Sequence, residues 1–304
     1  MRAPLLLAAC LSLAAGPKGL AIVIYGTTGL DHGADPGEGL PWANVGSLNG
    51  ATGVYLGVYG GVPWALTAAH VGAGTLLLDS GSFAAAGPAI VIQNPNGSAT
   101  DLAAFPLSTT PLLPNLSLAS AAPAANSNVL LIGNGSRETG SLLYWKVTVD
   151  PDGPGSSDTW TTLATAEGSN RSGYALGGSG KRWGEALYTS TFDYTLGSVT
   201  QTGVATLFVG ATGSSQAAGG DSGGAIFFHN GTSWGLLGII SAVGTLENQP
   251  ANTAVTFNQT LSVSLPAYQT ALLAAIPEPG HYALGAGALS LLAVLWHRRR
   301  SHRR

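Results

Sequence analysis

The sequence predicts an all-β protein that ends in one short helix, and three observations lead to this class. Gly and Pro, 44 and 17 of 304 residues, make up about a fifth of the chain, which is typical of a turn-rich protein. Short runs of Val, Ile, Leu, Phe and Tyr recur between clusters of Gly, Asn, Ser and Pro, as in strands joined by turns. No long helical periodicity precedes Pro266, so strands should dominate.

Two segments show this strand character most clearly. Apolar residues at the odd positions of 143–149 alternate with Tyr144, Lys146 and Thr148, which is the period of a half-buried strand. The apolar runs at 225–229 and 233–241 are joined through Asn230-Gly231, a pair that tolerates positive φ and favours a tight hairpin.

The main domain should end in a short helix at 267–276. Leu272, Leu273 and Ile276 are spaced as the apolar positions of such a helix. We therefore expect one domain over residues 22–276, which is long enough to bury a core without disulfides.

The charge distribution argues against nucleic acid as a partner. Seven of the twelve basic residues lie at the two chain ends, and residues 19–276 carry five basic and fourteen acidic residues. A body with this acidic balance lacks the basic patch that phosphate binding needs.

The one cysteine, Cys10, lies near the N-terminus. The mature domain should therefore hold no disulfide, no thiol nucleophile and no cysteine-ligated metal, and we expect no metal or other cofactor. Residues 7–10 also resemble a lipoprotein cleavage box, which is an alternative interpretation of this segment.

Residues 1–21 have the form of a secretory signal peptide. Arg2 precedes an apolar stretch at 3–15, and small residues at 14–21 offer cleavage sites. We expect export to the periplasm, the cell surface or the medium, with a buried N-terminal helix as the alternative.

Residues 277–304 form a second targeting segment. Pro277-Glu278-Pro279 precedes an apolar stretch at 282–296, and five arginines follow it. Fifteen helical residues reach about 22 Å, short of a hydrocarbon core of about 30 Å. This arrangement resembles the PEP-CTERM sorting signal, which implies an exosortase-type enzyme as processing partner and membrane contact through 282–296. A plain C-terminal anchor is the alternative.

The stretch Gly-Gly-Asp-Ser-Gly-Gly at 219–224 carries the strongest chemical signal. Hydrolysis by serine needs an activated hydroxyl and backbone donors for the developing oxyanion. Glycines allow the tight turn that brings the amides of Gly220 and Ser222 together. The body offers His32, His70 and His229 as candidate bases, and His70 ends an apolar strand.

Leu-Thr-Ala-Ala-His at 66–70, followed in chain order by the 219–224 stretch, resembles the trypsin/chymotrypsin family of serine proteases. The family's third residue is an Asp that opens an apolar run, and Asp101 before Leu-Ala-Ala-Phe matches that form. Asp79 lies only nine residues after His70, and Asp150 and Asp152 lie in a Pro/Gly turn, so they fit this role less well.

The resemblance spans about residues 40–276 and implies two antiparallel six-stranded β-barrels with the active site between them. It implies Ser222 as nucleophile, His70 as general base and Asp101 as its orienting group, with an oxyanion hole at Gly220 and Ser222. Asp221 corresponds to a structural carboxylate that shapes the oxyanion loop. Residues 129–135 would open the second barrel, and 238–241 would pair with substrate backbone.

Three departures from the family pattern qualify this resemblance. The cysteines that brace the His loop and the specificity pocket are absent, which predicts a less rigid pocket. Ile22-Val23-Ile24-Tyr25 differs from the N-terminus that relatives expose on activation, so we expect no such switch and another partner for Asp221. Alignment places Gln216 near the pocket floor, beside Ser241 and Val243, and predicts preference for small or medium apolar side chains.

Two functions therefore compete. The leading one is an exported serine endopeptidase that acts on protein or peptide substrates. The alternative is a catalytically inactive homologue that serves as a surface or matrix binding protein, which the Gly-rich, weakly charged body and the sorting tail would suit.

Overall fold

The computed structural model describes residues 22–26, 32–148, 158–178 and 180–276. The predicted signal peptide at 1–21 and the predicted tail at 277–304, including 282–296, lie outside the described residues. Within the described ranges, no helix is both long and apolar enough to cross a membrane.

The chain is built mainly from strands, as predicted. A 3₁₀ turn at Trp42–Asn44 precedes the second strand. The strands of the N-terminal part are β1 Val23–Ile24, β2 Val45–Leu48, β3 Ala51–Tyr59, β4 Val62–Ala68, β5 Leu76–Leu78, β6 Gly81–Phe83, β7 Ile90–Gln93 and β8 Ala99–Pro106. The elements that follow are β9 Asn128–Gly133, β10 Arg137–Thr148, β11 Thr159–Leu163, β12 Arg171–Gly177, β13 Arg182–Leu196, β14 Val199–Leu207, β15 Ser215–Gln216, β16 Ala225–His229, β17 Trp234–Gly244, β18 Thr253–Val255, β19 Gln259–Ser264 and the helix α1 Leu265–Ala275.

Strands β2 to β8 form a curled seven-stranded sheet, the first sheet, in the order β6-β5-β2-β3-β4-β8-β7. The turns Asn49-Gly50 and Gly60-Gly61 join β2 to β3 and β3 to β4, and all four residues have positive φ. This conformation matches the twist of antiparallel strands. The predicted all-β fold with two curled sheets is confirmed. In the first sheet β6 pairs with β5 and β7 with β8, and among the described residues no ladder joins these two edges.

The second barrel is closed, as predicted. Its six antiparallel strands follow the order β13-β14-β19-β17-β16-β9. The predicted hairpin is β16 and β17, which reverse through a turn that contains Gly231 at φ +95°. Residues 129–135 contribute most of β9, so the predicted opening strand of this barrel is also present.

A third sheet, the side sheet, lies outside both of these units and was not predicted. Its order is β11-β10-β12-β18. Of the alternating segment predicted at 143–149, residues 143–148 belong to β10, where Trp145 and Val147 are buried while Lys146 is exposed; residue 149 lies outside the described residues. Trp145 packs edge-on against Trp160 of β11, with ring centroids 6.0 Å apart.

A continuous apolar core joins the first sheet, the second barrel and α1. It includes Leu66 of the first sheet, Phe227 and Ile239 of the barrel and Leu272 of the helix. Burying each such side chain contributes about 1.5 to 3 kcal/mol. Pro266 lies in the first turn of α1, where its missing N–H costs nothing. The two halves are therefore held face to face, with a cleft at their junction.

Candidate active site

A cavity of about 810 Å³ opens at the junction of the first sheet and the second barrel. It receives side chains from both halves and from the loop before β18. The lining residues are His70, Asp101, Leu196, Val199, Ala218, Gly219, Ser222, residues 240–243, Thr245 and residues 249–253.

Strand β4 delivers His70 to this cavity. The strand ends at Ala68, and the Val71 N–H donates to the Ala68 carbonyl at 3.0 Å, so the chain turns directly after the strand. The Ala69 N–H donates to the Asp101 carbonyl at 3.1 Å, which ties this turn to β8. The His70 side chain remains 47% exposed and is accessible from the cavity.

Asp101 lies behind the His70 ring and is buried. His70 Nδ1 is 2.9 Å from both carboxylate oxygens, and the His70 backbone N–H donates to Oδ1 at 3.0 Å. The Ser241 hydroxyl donates to Oδ2 at 2.5 Å. Because a carboxylate accepts, these contacts place the imidazole proton on Nδ1 and leave the Nε2 lone pair free for a proton.

The other candidate His and Asp residues lie elsewhere. Asp79 is exposed and pairs with Lys181 at 2.8 Å. His32 packs on Trp183, with ring centroids 4.3 Å apart. His229 lies beside its hairpin turn, where Nδ1 accepts the Gly231 N–H at 3.3 Å. Asp150 and Asp152 lie outside the described residues.

The loop that carries Ser222 is fixed through its carbonyl groups. Ser136 N–H donates to the Gly219 carbonyl at 2.7 Å, the Thr52 hydroxyl to the Gly220 carbonyl at 3.0 Å, and Thr52 N–H to the Ser222 carbonyl at 3.0 Å. Among the described residues, the amides of Gly220 and Ser222 have no protein acceptor. The loop therefore keeps two N–H donors available beside the Ser222 side chain.

Gly223 shows why this loop needs glycine. Its φ is +83°, and a Cβ there would lie 2.0 Å from the Thr52 carbonyl oxygen and 2.2 Å from the Thr67 hydroxyl. A side chain would be strained and would also push the loop away from the first sheet.

Ser222 and His70 line the same cavity, but no direct hydrogen bond joins them in the described part of the chain. The general-base role that the resemblance implies for His70 requires this contact during the reaction. Catalytic hydrogen bonds are often long before substrate binds. The two residues therefore share one cavity here, but the hydrogen bond between His70 and Ser222 is not formed.

The carboxylate of Asp221 is fully buried beneath this loop. It accepts backbone N–H groups from Gly135 at 2.7 Å, Ala218 at 2.8 Å and Ile22 at 3.1 Å. Burial raises the pKa of Asp221 to about 7. The expectation that the Ile22 segment takes no part in balancing Asp221 is therefore wrong, because β1 brings the Ile22 amide to the carboxylate.

A buried ion pair, which the sequence analysis missed, holds β1 in this place. Arg182 Nη1 lies 2.9 Å from Glu138 Oε2, and both side chains are 4% exposed. Arg182 also donates to the Ile22 carbonyl at 3.1 Å, and the Ile24 N–H donates to Glu138 at 3.1 Å. In a chain with only 9% charged residues, a Glu and an Arg in strands were a signal that could have identified this pair.

The predicted pocket residues divide into two groups. Ser241 and Val243, on β17, line the cavity. Gln216 does not line it; pairing of β15 with β1 buries Gln216 opposite Val23. The structure therefore does not place Gln216 with Ser241 and Val243 on the cavity wall. Leu196 and Val199, which sequence reasoning missed, form an apolar part of the wall.

The side sheet braces one wall of the cavity. Lining residues 249–253 lead directly into β18, whose Ala254 pairs with Tyr174 of β12. Trp160 Nε1 donates to the Glu247 carbonyl at 2.8 Å, and Gln249 Nε2 to the Thr253 carbonyl at 2.8 Å. These hydrogen bonds tie the segment at 247–253 to the side sheet. The less rigid pocket stays a prediction.

Comparison with known proteins gives matches to solved structures alone. No protein-family model matches the sequence, and no curated protein matches it. The solved structures that the chain resembles include trypsin-like serine proteases.

One is the active form of the Rv3671c protease from M. tuberculosis, at 17% identity, covering 89% of this chain and 95% of that chain, with a TM-score of 0.44. Neuropsin, a serine protease of mouse brain, gives 17% identity, 79% and 95% coverage and a TM-score of 0.44. The MamO protease domain from Magnetospirillum magneticum gives 13% identity, 77% and 97% coverage and a TM-score of 0.41. Similarity at these levels concerns the fold alone.

Proposed function

We propose that this protein is a serine endopeptidase with Ser222 as nucleophile, His70 as general base and Asp101 as the group that orients His70. The observation that carries this proposal is one cavity lined by the hydrogen-bonded His70–Asp101 pair and by Ser222, with two unengaged amides in the Ser222 loop.

The mechanism follows from the proton positions. His70 Nε2 accepts the Ser222 proton as the hydroxyl attacks the scissile carbonyl, and then returns it to the leaving amine. Asp101 stabilises the charged imidazole that forms between these steps. The amides of Gly220 and Ser222 stabilise the oxyanion, a contribution worth about 3 to 4 kcal/mol per donor in such sites.

The cavity supports a preference for small or medium apolar side chains on the acyl side of the cleaved bond. Its wall carries Val243 and Ala242, and among the described lining residues the one carboxylate is Asp101, which is engaged by His70 and Ser241. Cleavage of a mixed peptide library should therefore occur after Ala, Val or Leu. A strong preference for cleavage after Arg would contradict this specificity.

Labelling by a fluorophosphonate probe tests the reaction itself. The folded full chain should form a covalent adduct at Ser222, identified by mass spectrometry of the labelled peptide. Ser222→Ala and His70→Ala should abolish labelling while the circular dichroism spectrum stays unchanged. A folded wild-type chain that fails to label would favour the alternative, a catalytically silent homologue with a binding function.

We also propose that the protein is exported, with residues 1–21 removed and residues 277–304 recognised by an exosortase-type enzyme. Removal of 1–21 would convert the Ile22 amide, which already contacts Asp221, into an ammonium group. Cell fractionation followed by N- and C-terminal mass spectrometry tests both processing steps. Unprocessed chain in the cytoplasm would contradict this part of the proposal.

A further inference from the structure

A buried polar cluster on the hairpin β13–β14 lies against Asp101. Tyr194 and Gln201 are directly opposite each other in the register of this hairpin, and both are buried, Gln201 at 1% exposure. The next pair, Thr195 and Thr200, has joined hydroxyls on the exposed side. The face of the hairpin that carries Tyr194 and Gln201 is therefore buried, and the face that carries Thr195 and Thr200 is exposed.

The orientation of the Gln201 amide follows from its partners. The Asp101 backbone N–H lies 2.5 Å from Gln201 Oε1, and a backbone N–H can only donate. The amide oxygen must therefore face Asp101. Its Nε2 then donates to the Tyr194 hydroxyl at 2.7 Å and, more weakly, to Ser241 Oγ at 3.5 Å.

The partners of Ser241 give the direction of its hydrogen bond. Its hydroxyl oxygen lies 3.5 Å from Gln201 Nε2, which can only donate, and 2.5 Å from Asp101 Oδ2, which as a carboxylate oxygen can only accept, so the Ser241 proton is directed to Asp101. Tyr194 stays an uncharged acceptor for Gln201, since burial raises the pKa of its hydroxyl. The polar cluster thus gives Asp101 a third donor, besides the two N–H groups of His70.

We propose that Gln201 is a positioning residue for the His70–Asp101 pair: it holds the Asp101 backbone and orients the Ser241 hydroxyl as a donor to the carboxylate. The importance of this role for turnover rests on the proposed function, whereas its effect on the His70 ring does not. Gln201 belongs to the second barrel and Asp101 to the first sheet, so the same residue fastens the two halves at the site.

The sign of the effect on His70 can be worked out. A donor to Asp101 draws charge from the carboxylate and weakens its stabilisation of the protonated imidazole. Without the oriented Ser241 proton, His70 should hold its proton to higher pH. The other titratable groups around this cluster are Tyr194, Tyr268, whose hydroxyl accepts the Thr202 N–H, and Asp193, which accepts the Thr202 hydroxyl. Substitution of Gln201 removes none of these titratable groups.

The test is an NMR titration of His70 in the full chain with Ser222→Ala, which cannot digest itself. Gln201→Met, similar in size but without the amide, should raise the pH midpoint of the His70 ring signals by about half a unit, the equivalent of one hydrogen bond. Thr200→Val, the matched control on the exposed face, should leave the midpoint unchanged. If Gln201→Met impairs folding, Gln201→Asn, one methylene too short to reach both partners, should give the same displacement.

Activity supplies the second readout. With Ser222 present, Gln201→Met should lower kcat about 3- to 10-fold and leave KM nearly constant, while Thr200→Val changes neither. A His70 midpoint in folded Gln201→Met equal to that of Thr200→Val would overturn the positioning role. Absence of probe labelling in the wild-type chain would instead overturn the proposed peptidase function, and the titration would still decide the role of Gln201.

Discussion

The two buried carboxylates beside the cavity are held in contrasting ways. Asp101 takes its hydrogen bonds from the His70 ring, the His70 backbone N–H and the Ser241 hydroxyl. Asp221 takes its hydrogen bonds from three backbone N–H groups of separate segments. The partners of Asp101 include a half-exposed ring, whereas those of Asp221 are main-chain groups buried with it.

This difference separates two uses of a negative charge. A carboxylate paired with an imidazole that opens to a cavity can stabilise a charge that forms during a reaction. A carboxylate enclosed by main-chain donors fixes the shape of a loop, and its charge is opposed by burial, which raises its pKa to about 7. Asp101 is therefore suited to chemistry and Asp221 to structure.

Hydrogen bonds at the cavity also join the first sheet and the second barrel. Gln201 of the second barrel accepts the backbone N–H of Asp101 in the first sheet. Thr52 of the first sheet donates its hydroxyl to the Gly220 carbonyl and its backbone N–H to the Ser222 carbonyl in the second barrel. Each half thus supplies a polar residue that positions the functional segment of the other.

The largest expected effect separates the two carboxylates by activity. Asp101→Asn should lower kcat by roughly 10⁴-fold, because an amide favours the wrong His70 tautomer. The unfolding midpoint should change much less than activity does. Peptide-cleavage rates and urea unfolding measure the two quantities, and Glu167→Gln, which removes an exposed loop carboxylate, should leave both unchanged. If Asp101→Asn destabilised the fold enough to explain its loss of activity, Asp101 would act mainly in structure, as Asp221 does, and the contrast between the two carboxylates would fail.

The next effect concerns stability and pH. Burial raises the pKa of Asp221 from 3.8 to about 7, so between these values the unfolded chain is ionised while the folded chain keeps its proton. This residue should therefore stabilise the full chain at acidic pH, and that contribution, on the order of 4 kcal/mol, should be lost as pH rises from about 4 to about 7.

Urea unfolding of the Ser222→Ala chain at pH 4, 5.5 and 7 measures this loss. Asp221→Asn should show a flatter dependence over the same range, since it has no proton to lose. Parallel curves for the two chains would mean that Asp221 is already ionised in the folded protein, and its role would then resemble that of Asp101.

Much of the fold could be predicted because its signals are local. The hairpin at Asn230-Gly231 and the alternation described over 143–148 depend on neighbouring residues, and both are present. The side sheet was missed, because it depends on pairing between distant segments, such as Tyr174 with Ala254. No short sequence window contains that information.

The residues of the candidate site show the same difference between local and long-range signals. His70, Asp101 and Ser222 were chosen from short motifs, and the structure gathers them at one cavity, while their catalytic roles stay predictions. Gln201 and Thr52 gave no signal, because their partners lie 100 and 168 residues away in the chain. Such residues are recognised only when the fold brings their hydrogen bonds together.

A smaller effect is expected from the N-terminus. A chain that begins at Ile22 would place an ammonium group where the full chain has an amide 3.1 Å from Asp221. It should be more stable than the full chain at pH 7 by about 1 to 3 kcal/mol, the range for hydrogen bonds to charged groups. Alkaline solution, which removes the ammonium proton, should cancel the difference.

The control for this comparison is Asp221→Asn in both chain lengths, which should make their unfolding curves agree at pH 7. If the two lengths are equally stable with Asp221 intact, the ammonium group does not reach the carboxylate.

The smallest effect concerns the hydrogen bonds between the first sheet and the second barrel. It tests the contribution of Thr52 in the first sheet, whereas Gln201 lies in the second barrel. Thr52→Val keeps the buried shape but removes the hydroxyl that donates to the Gly220 carbonyl and accepts the Asn134 N–H. The oxyanion amides would then be held less firmly, so kcat should fall about 3- to 10-fold with little change in KM. Thr52→Ser keeps the hydroxyl and should retain most of the activity. Because the Thr52 hydroxyl bonds to Gly220 and Asn134 and not to His70 or Asp101, Thr52→Val should leave the His70 titration midpoint unchanged, in contrast to Gln201→Met. A displaced midpoint in Thr52→Val would show that the two carboxylate regions respond as one unit and that the separation drawn between Asp101 and Asp221 fails.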